Sequence, residues 1–550
     1  MNLNYKKLSG NQILKMMKNK SRLISVLMLL LLAILITIPA FFPNRLPLSW
    51  DGTLHMARFT QISDALRHGK LPPLIAFYGA GDNLNAFVGM YPWLADLIIV
   101  IPMTFIANKM IALLIGYFLL NIITGLNVYL LLSELTKSRV YRLLGTTLYL
   151  FNSYHIIDLY ARVEWGEGVA YAFFPLVALG LLRIYKGKKY GIIFLSLGMI
   201  GLANSHLLSL LGAIILLVII ELYRMVTRKF SIKELKDFVL ATVISLIASS
   251  YTFFQILLIS LKNKDIKVPA RGINQVSLSK SFNEMISNTI HEWYDGWNLG
   301  IVFSFIILFL LIRLLASQGA IHEWGGYTIA ALFSLLVIFN FFPFVNSKYL
   351  VNTIGIFQFT GRFFILPIIL TVMGMVLYSD ENRLDLYKVI FIVLMSIITI
   401  DLEISTNIRN PDQNRYTISN NTWRRVINDY TNFDDYVSKE AIVDMKNHKK
   451  LNKVNQTYDS ATYMTSSGVE GFRMVPLAMY KGLDYKVYVN NKMSRFKIFK
   501  GLLYVRLKDG KNKIKVKSEA GGKCYLLFAV SLLSLLILLV RVVPIIADIF

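Results

Sequence analysis

Apolar residues run through this chain in long blocks separated by short polar turns. Blocks near 23–42, 110–134, 140–157, 168–185, 190–206, 207–223, 237–260, 300–316, 326–345, 361–378, 387–403 and 525–545 predict helices. Runs of about 17–25 apolar residues, at ~1.5 Å per residue, match a bilayer core of ~30 Å, so the pattern predicts about twelve transmembrane helices. The run Trp93–Ile106 is shorter and carries Asp96 and Pro102, which predicts a half-embedded external helix. The first block lacks a small-x-small cleavage site and is followed by many others, so it reads as a retained anchor.

The alternation changes after residue 404. Lys486-Val-Tyr-Val489 and Leu503-Tyr-Val-Arg-Leu507 alternate as strands do, Asp509-Gly510 is a turn signal, and Ile514 and Val516 alternate with Lys513, Lys515 and Lys517. This predicts a hairpin with one apolar and one basic face. The expected organisation is a polytopic α-helical membrane domain over 1–403, a small β-rich domain over 404–524, and a last membrane helix over 525–550.

Composition agrees: 55% of the 550 residues are hydrophobic and the mean hydropathy is +0.53. Lysine and arginine cluster in alternate turns. They lie before the first block (Lys6, Lys7, Lys15, Lys18, Lys20, Arg22), at Lys137, Arg139 and Arg142, at Arg183, Lys186, Lys188 and Lys189, and at Arg224, Arg228 and Lys229. Basic short loops stay cytoplasmic, so the expectation is a multi-pass plasma-membrane protein with both termini inside. Loops 43–109 and 158–167 and the β domain are then extracytoplasmic. The net charge of +25 would draw anionic headgroups, lipid phosphates or anionic envelope polymers to that outer surface. Nucleic acid would be on the wrong side. The single cysteine, Cys524, excludes an intrachain disulfide and a cysteine-based zinc site.

Two charged clusters interrupt the apolar pattern. Asp51, His55 and Arg58 fall at i, i+4 and i+7 of a helix starting at Ser49-Trp-Asp51, opposite the apolar positions Leu54, Ala57 or Phe59, Ile62 and Leu66. That spacing predicts a helix on the membrane surface. The second cluster packs Asp158, Arg162, Glu164 and Glu167 into ten residues between two apolar blocks. Charges at a bilayer edge are costly to desolvate and point to function. One arginine cannot neutralise three acids, so the surplus predicts a divalent cation, a proton-transfer role or a cationic partner. Oxygen ligation would favour Mg²⁺, Mn²⁺ or Ca²⁺ over zinc. A helix cap with an interfacial polar face, and an Asp158–Arg162 ion pair at the end of a span, are the simpler alternatives.

With these residues in place, the chain resembles the GT-C fold glycosyltransferases, and within them the bacterial YfhO-like membrane proteins. The resemblance rests on Asp51, Tyr91-Pro-Trp-Leu94, the motif Asp158–Glu167 running into Pro175-Leu176 and Leu179-Gly180, Asn204-Ser-His-Leu207, and Gln358-Phe-Thr-Gly-Arg-Phe363. Here Phe-Thr-Gly-Arg stands where those relatives carry Phe-Pro-Trp-Arg. Tyr480-Lys-Gly482, Val487-Tyr-Val-Asn490 and Lys508-Asp-Gly-Lys-Asn512 look like their terminal β domain. The resemblance implies transfer of a sugar from a polyprenyl-phosphate donor to a lipid-linked polymer, glycolipid or protein on the outer face. Asp51 would be the base or help hold a metal, with Glu167 and Glu164 also at the reaction centre. Asp51, Asp158, Glu164 and Glu167 are the candidate ligands for Mg²⁺ or Mn²⁺. Arg58, Arg162 and Arg362 would neutralise the leaving phosphate, and His55, Tyr91, Asp158 and His206 would bind substrate. A lipid or polysaccharide transporter, or a catalytically silent scaffold, are the alternatives; no inverted repeat favours the transporter.

Overall fold

The computed structural model describes residues 10–549 except 80, 82, 265, 267–271, 318–321, 342–354, 410–415, 429–434 and 447–450. Lys6 and Lys7 therefore lie outside the described residues. In chain order the first half runs α1 (Gly10–Phe41), β1 (Leu46–Leu48), α2 (Trp50–Arg67), α3 (Phe87–Met90), α4 (Leu97–Phe105), α5 (Lys109–Leu132), α6 (Arg139–Leu150), α7 (Ser153–Ile156), a π-helical turn (Ile157–Ala161), α8 (Trp165–Tyr185), α9 (Gly191–Ala203) and α10 (Leu207–Val226).

Among the described residues, seven helices are long and apolar enough to cross a membrane, or eight if one bent pair counts as a single span. They include α1, α5, α8 and α10, and the helices Thr360–Glu381, Leu386–Arg409 and Gly522–Ala547. The bent pair is α11 (Ile232–Ala248) and α12 (Ser250–Lys262), which turn by 70°. The blocks near 190–206, 300–316 and 326–345 give shorter apolar helices, Gly191–Ala203, Ile301–Ala316 and Glu323–Ile338. The block near 140–157 is broken. Asn152 turns its amide back, donating to the Leu148 and Tyr149 carbonyls at 3.3 and 2.8 Å and accepting from the His155 N–H at 3.0 Å. That side chain ends α6 and caps α7.

Close helix contacts set the scaffold. A Cβ at Gly180 would lie 2.4 Å from the Leu195 backbone nitrogen, and one at Gly198 2.6 Å from that of Val177. The glycines let α8 and α9 meet backbone to backbone, as small residues do where helices associate in lipid.

The loops and the region after residue 404 meet on one face. β1 pairs antiparallel with β2 (Tyr416–Ile418), joining the exit of α1 to the segment after Leu386–Arg409. The Trp423 indole donates to Thr60 of α2 at 3.0 Å, and Lys70 lies 3.3 Å from Glu519, just before the last helix. At that helix's far end, Arg142 of the basic turn donates to the Ile549 carbonyl at 3.4 Å.

The strands here form two sheets that bury their apolar faces in the same core as the helices. β3 (Asn452–Gln456), β4 (Ser460–Ser467), β6 (Asp484–Val489), β7 (Lys492–Met493) and β10 (Gly510–Glu519) make one, in the order β3-β4-β10-β6-β7. β5 (Gly471–Ala478), β8 (Phe496–Phe499) and β9 (Leu502–Leu507) make the other. The expected hairpin is thus corrected. β9 pairs with β5 and β8, whereas β10 pairs with β4 and β6, so Asp509-Gly510 is a crossing between sheets. Buried Asn512 fixes that crossing through bonds to the Lys508 N–H and the Lys508 and Gly510 carbonyls. The alternation on β10 holds at Ile514 and Val516, which are buried, and at Lys513 and Lys515, which are exposed, while Lys517 is half-buried and pairs with Asp459 and Glu519.

Helix α2 also departs from expectation. Its polar face is not open to water between Asp51 and Asp64. His55, Arg58, Gln61 and Ser63 are as buried as Leu54, Phe59 and Ile62, because α4 and Trp423 cover it on different sides.

Candidate active site

The two charged clusters meet. Ser49 caps α2, accepting from the Gly52 N–H at 3.1 Å, and its hydroxyl donates to the Arg162 carbonyl, tying the first loop to the second. His55 Nε2 lies 3.3 Å from both oxygens of Glu164. Arg58 sits 3.1 Å from His55 Nδ1, and because arginine only donates, Nδ1 accepts and Nε2 carries the hydrogen given to Glu164. The Tyr91 hydroxyl donates to Glu164 as well. Arg58 continues to the Pro92 carbonyl at 3.0 Å and to Asp96 at 2.5 Å. Tyr91 covers the Arg58 guanidinium at 4.5 Å.

The second loop reaches this point through distorted backbone. The helix widens into the π-helical turn Ile157–Ala161, and buried Val163 has φ of 53°. A β-branched residue in the left-handed region is strained, and such strain clusters at functional sites. It turns Arg162, Glu164 and Glu167 inward together. Arg162 bonds Asp158 at 2.8 Å and pairs with Glu167, while the Trp297 ring lies 4.2 Å from the guanidinium. Arg362 reaches Glu167 at 2.5 Å, and His206 stands 3.9 Å from the same carboxylate. Glu167 is therefore shared by two arginines and a histidine. The opening Phe-Thr-Gly-Arg of that segment has a local cause: a Cβ at Gly361 would come 2.3 Å from the Trp297 ring.

Gly166 and Gly168 leave no backbone open to a ligand. A Cβ at Gly166 would lie 2.1 Å from the Tyr91 hydroxyl, and one at Gly168 2.7 Å from Leu159. Gly166 makes room for the tyrosine that holds Glu164.

Electrostatics separate the acids. Asp51 is solvent-exposed yet surrounded by protein on the wall of the site, and among the described residues none gives it a hydrogen bond. Desolvation by that surround, then Glu164, pushes its carboxyl up to about 7, with Arg162 and Arg362 working the other way. Burial, then Glu167, drives Asp158 up despite Arg162. For Glu164 burial opposes ionisation, but His55, then His206 and Arg162, offset it and hold the carboxyl well below the usual range. Burial pushes His206 down to about 4 and lowers His55 too. Carboxyls pushed apart in this way divide into a proton-exchanging group and permanently charged ones.

The acids do not fit a metal cage as arranged. Among the described residues no three His, Cys, Asp or Glu side chains converge to hold an ion. Glu164 faces His55 and Tyr91, and Asp158 and Glu167 face arginines.

From this charged wall a cleft runs outward. Asp158, Glu167, His206 and Arg362 line its head, and Phe174, Leu216, Phe357, Phe363 and Leu366 its flanks. Helix α10, on one side, leaves most of its apolar surface uncovered by the rest of the chain. Sequence reasoning missed the tasks of Asp96, Trp297 and Val163. Only Asp96 left a signal, as a lone acid in an apolar run. Glu403 was missed as well: buried in Leu386–Arg409, it accepts from Ser153 at 2.9 and 2.7 Å.

No family model and no curated protein matches this chain.

Proposed function

We propose that the chain is a membrane glycosyltransferase of the GT-C type, related to the YfhO-like proteins. In this reading it has about twelve membrane elements, both ends in the cytoplasm, and its site on the outer face. It transfers a sugar from a polyprenyl-phosphate donor to an envelope acceptor: a lipid-linked polymer, a glycolipid or a protein. One observation carries the reading. A proton-exchanging aspartate stands near arginine-bound carboxylates, and one of these, Glu167, lines with Arg362 the head of an apolar cleft that opens toward lipid. Such a site suits a substrate whose reacting end is a charged phosphate and whose remainder is a hydrocarbon chain.

The chemistry follows. Asp51 accepts the proton of the acceptor hydroxyl as that oxygen bonds to the anomeric carbon of the donor sugar. The bond from that carbon to the lipid phosphate breaks, and its electron pair stays on the phosphate oxygen. Arg362 and Arg162 neutralise the departing phosphate, a task suited to planar guanidinium groups. Glu167 positions both arginines, and Glu164, with His55 and Tyr91, orders the opposite wall. Electrostatic stabilisation of the leaving group matters more here than protonation of it. No step is routed through a metal.

The test is purified protein in liposomes with a polyprenyl-phosphate sugar and an acceptor. Release of polyprenyl phosphate in step with acceptor glycosylation supports the reading. Movement of the intact donor across the bilayer would replace it with a flippase, and neither activity would leave a scaffold.

A further inference from the structure

The other end of α2 carries a second recess, unconnected to the reaction centre. It lies between α2, the start of α5 and the segment 423–456, with a volume of about 560 Å³. Arg67, Lys109, Arg424 and Lys453 line it against one carboxylate, Asp64. Three of the cations are held by backbone carbonyls: Arg67 by Met103 and Thr104 at 2.5 and 2.7 Å, Lys109 by Met103 at 3.2 Å, and Lys453 by Gly81. Carbonyl dipoles fix Arg67 and Lys109 without cancelling their charge. Asp64 is shared between Arg67 at 3.2 Å and the Tyr78 hydroxyl at 3.3 Å, so the recess keeps a surplus of positive charge. Arg424 is exposed on its rim, and among the described residues no carboxylate pairs with it. Trp423 and Tyr78 supply aromatic wall, and Asn428 and Asn455 supply amides.

We propose that this recess binds a phosphate ester of a polyol, the cations taking the phosphate and the amides and aromatic rings taking the hydroxyl-bearing carbon skeleton. Paired guanidinium and ammonium groups give the charge-assisted bonds that phosphate needs. Asp64 lies about 20 Å along α2 from Asp51 at ~1.5 Å per residue, so a ligand here does not occupy the reaction centre. The same chemistry occurs in a free sugar phosphate and in a phosphatidylglycerol headgroup, and the start of α5 places the recess at the level where a headgroup would lie.

The test uses the full chain in phosphatidylcholine nanodiscs, titrated with glucose 1-phosphate and, as control, glucose. A second arm counts phosphatidylglycerol retained from mixed nanodiscs by native mass spectrometry. Arg424→Glu, a change at an exposed position, should weaken binding at least tenfold in whichever arm responds, and Lys109→Gln should weaken it less. Loss in the first arm assigns a free sugar phosphate, and loss in the second a lipid headgroup. No response in either arm, glucose binding as well as its phosphate, or no effect of Arg424→Glu overturns the inference. Neither arm requires turnover, so failure of the transferase reading would leave this result standing, and the reverse.

Discussion

The two ends of α2 meet opposite electrostatic settings. At the first end Asp51, His55 and Arg58 enter a protein-lined wall in which acids outnumber arginines, and nearly every ionic group has a buried partner. At the other end Asp64 and Arg67 face an open recess in which cations are in surplus. The contrast shows that position along a helix does not decide what a charge does; enclosure does. An enclosed charge is tied to its partner, because removing one leaves the other buried and unpaired. A charge at the open recess is screened and worth little to stability.

The largest expected effect is at Arg58 and Asp96, whose side chains are fully buried. Arg58→Met should destabilise the protein by about 3–5 kcal/mol, the usual cost of orphaning a buried partner. Thermal melting in detergent measures this, and Arg58→Met with Asp96→Leu should recover most of the loss. No recovery would mean that Arg58 acts through its Pro92 and His55 bonds instead.

Next is Asp51→Asn, expected to lower transfer by about 10²–10⁴-fold, the range for loss of a general base, with melting at neutral pH no lower than that of wild type, because the amide replaces a carboxylate whose ionisation the fold opposes. The pH dependence has a definite sign. The Asp51 carboxyl rises from 3.8 in a free chain to about 7 in the fold. The folded protein therefore holds an extra proton between those values, and stability falls as pH rises through that window. Activity runs the other way, because a base must be ionised, so transfer should climb through about pH 7. A wild-type pH–rate profile flat from 5 to 8 would remove Asp51 from the proton step.

Gly166→Ala should come third. The added Cβ must displace Tyr91 and free one bond to Glu164, which predicts a loss of about tenfold in transfer, the scale of a single hydrogen bond to a charged group. Assayed alongside, Gly168→Ala presses only on the end of Leu159 and should cost less; the reverse order would contradict the role given to Tyr91.

The smallest effect belongs to Asp64→Asn, the same substitution as at Asp51 on the same helix. Its pair with Arg67 is partly exposed, so melting should move by less than ~1 kcal/mol. Transfer should be unaffected, and phosphate binding in the recess should strengthen.

Much of this arrangement is legible in the sequence, and the limits have physical causes. Hydropathy located seven helices long enough to span because a bilayer selects length and apolarity directly. It overextended the block near 140–157 because one asparagine, Asn152, ends a helix by side-chain bonds that no window average detects. The two acidic clusters stood out because charge is rare in such surroundings. Their meeting was not readable, since it depends on the π-helical turn and on Val163, an ordinary valine in sequence with an unusual φ. The basic strand face was read correctly from its alternation, yet the pairing was not: alternation reports which side is buried and not which strand lies alongside. The open polar face expected for α2 was misread because its cover, α4 and Trp423, comes from segments near and far in the chain.

The central claim is that Asp51 is the base of a sugar transfer at the junction of the two clusters. The most direct measurement is single-turnover release of polyprenyl phosphate by purified wild type and Asp51→Asn, each given a labelled polyprenyl-phosphate sugar and an acceptor. The account predicts release by wild type with the sugar recovered on the acceptor, and almost none by Asp51→Asn despite wild-type folding and donor binding. Equal release by the two proteins, or donor bound by both and cleaved by neither, would contradict it.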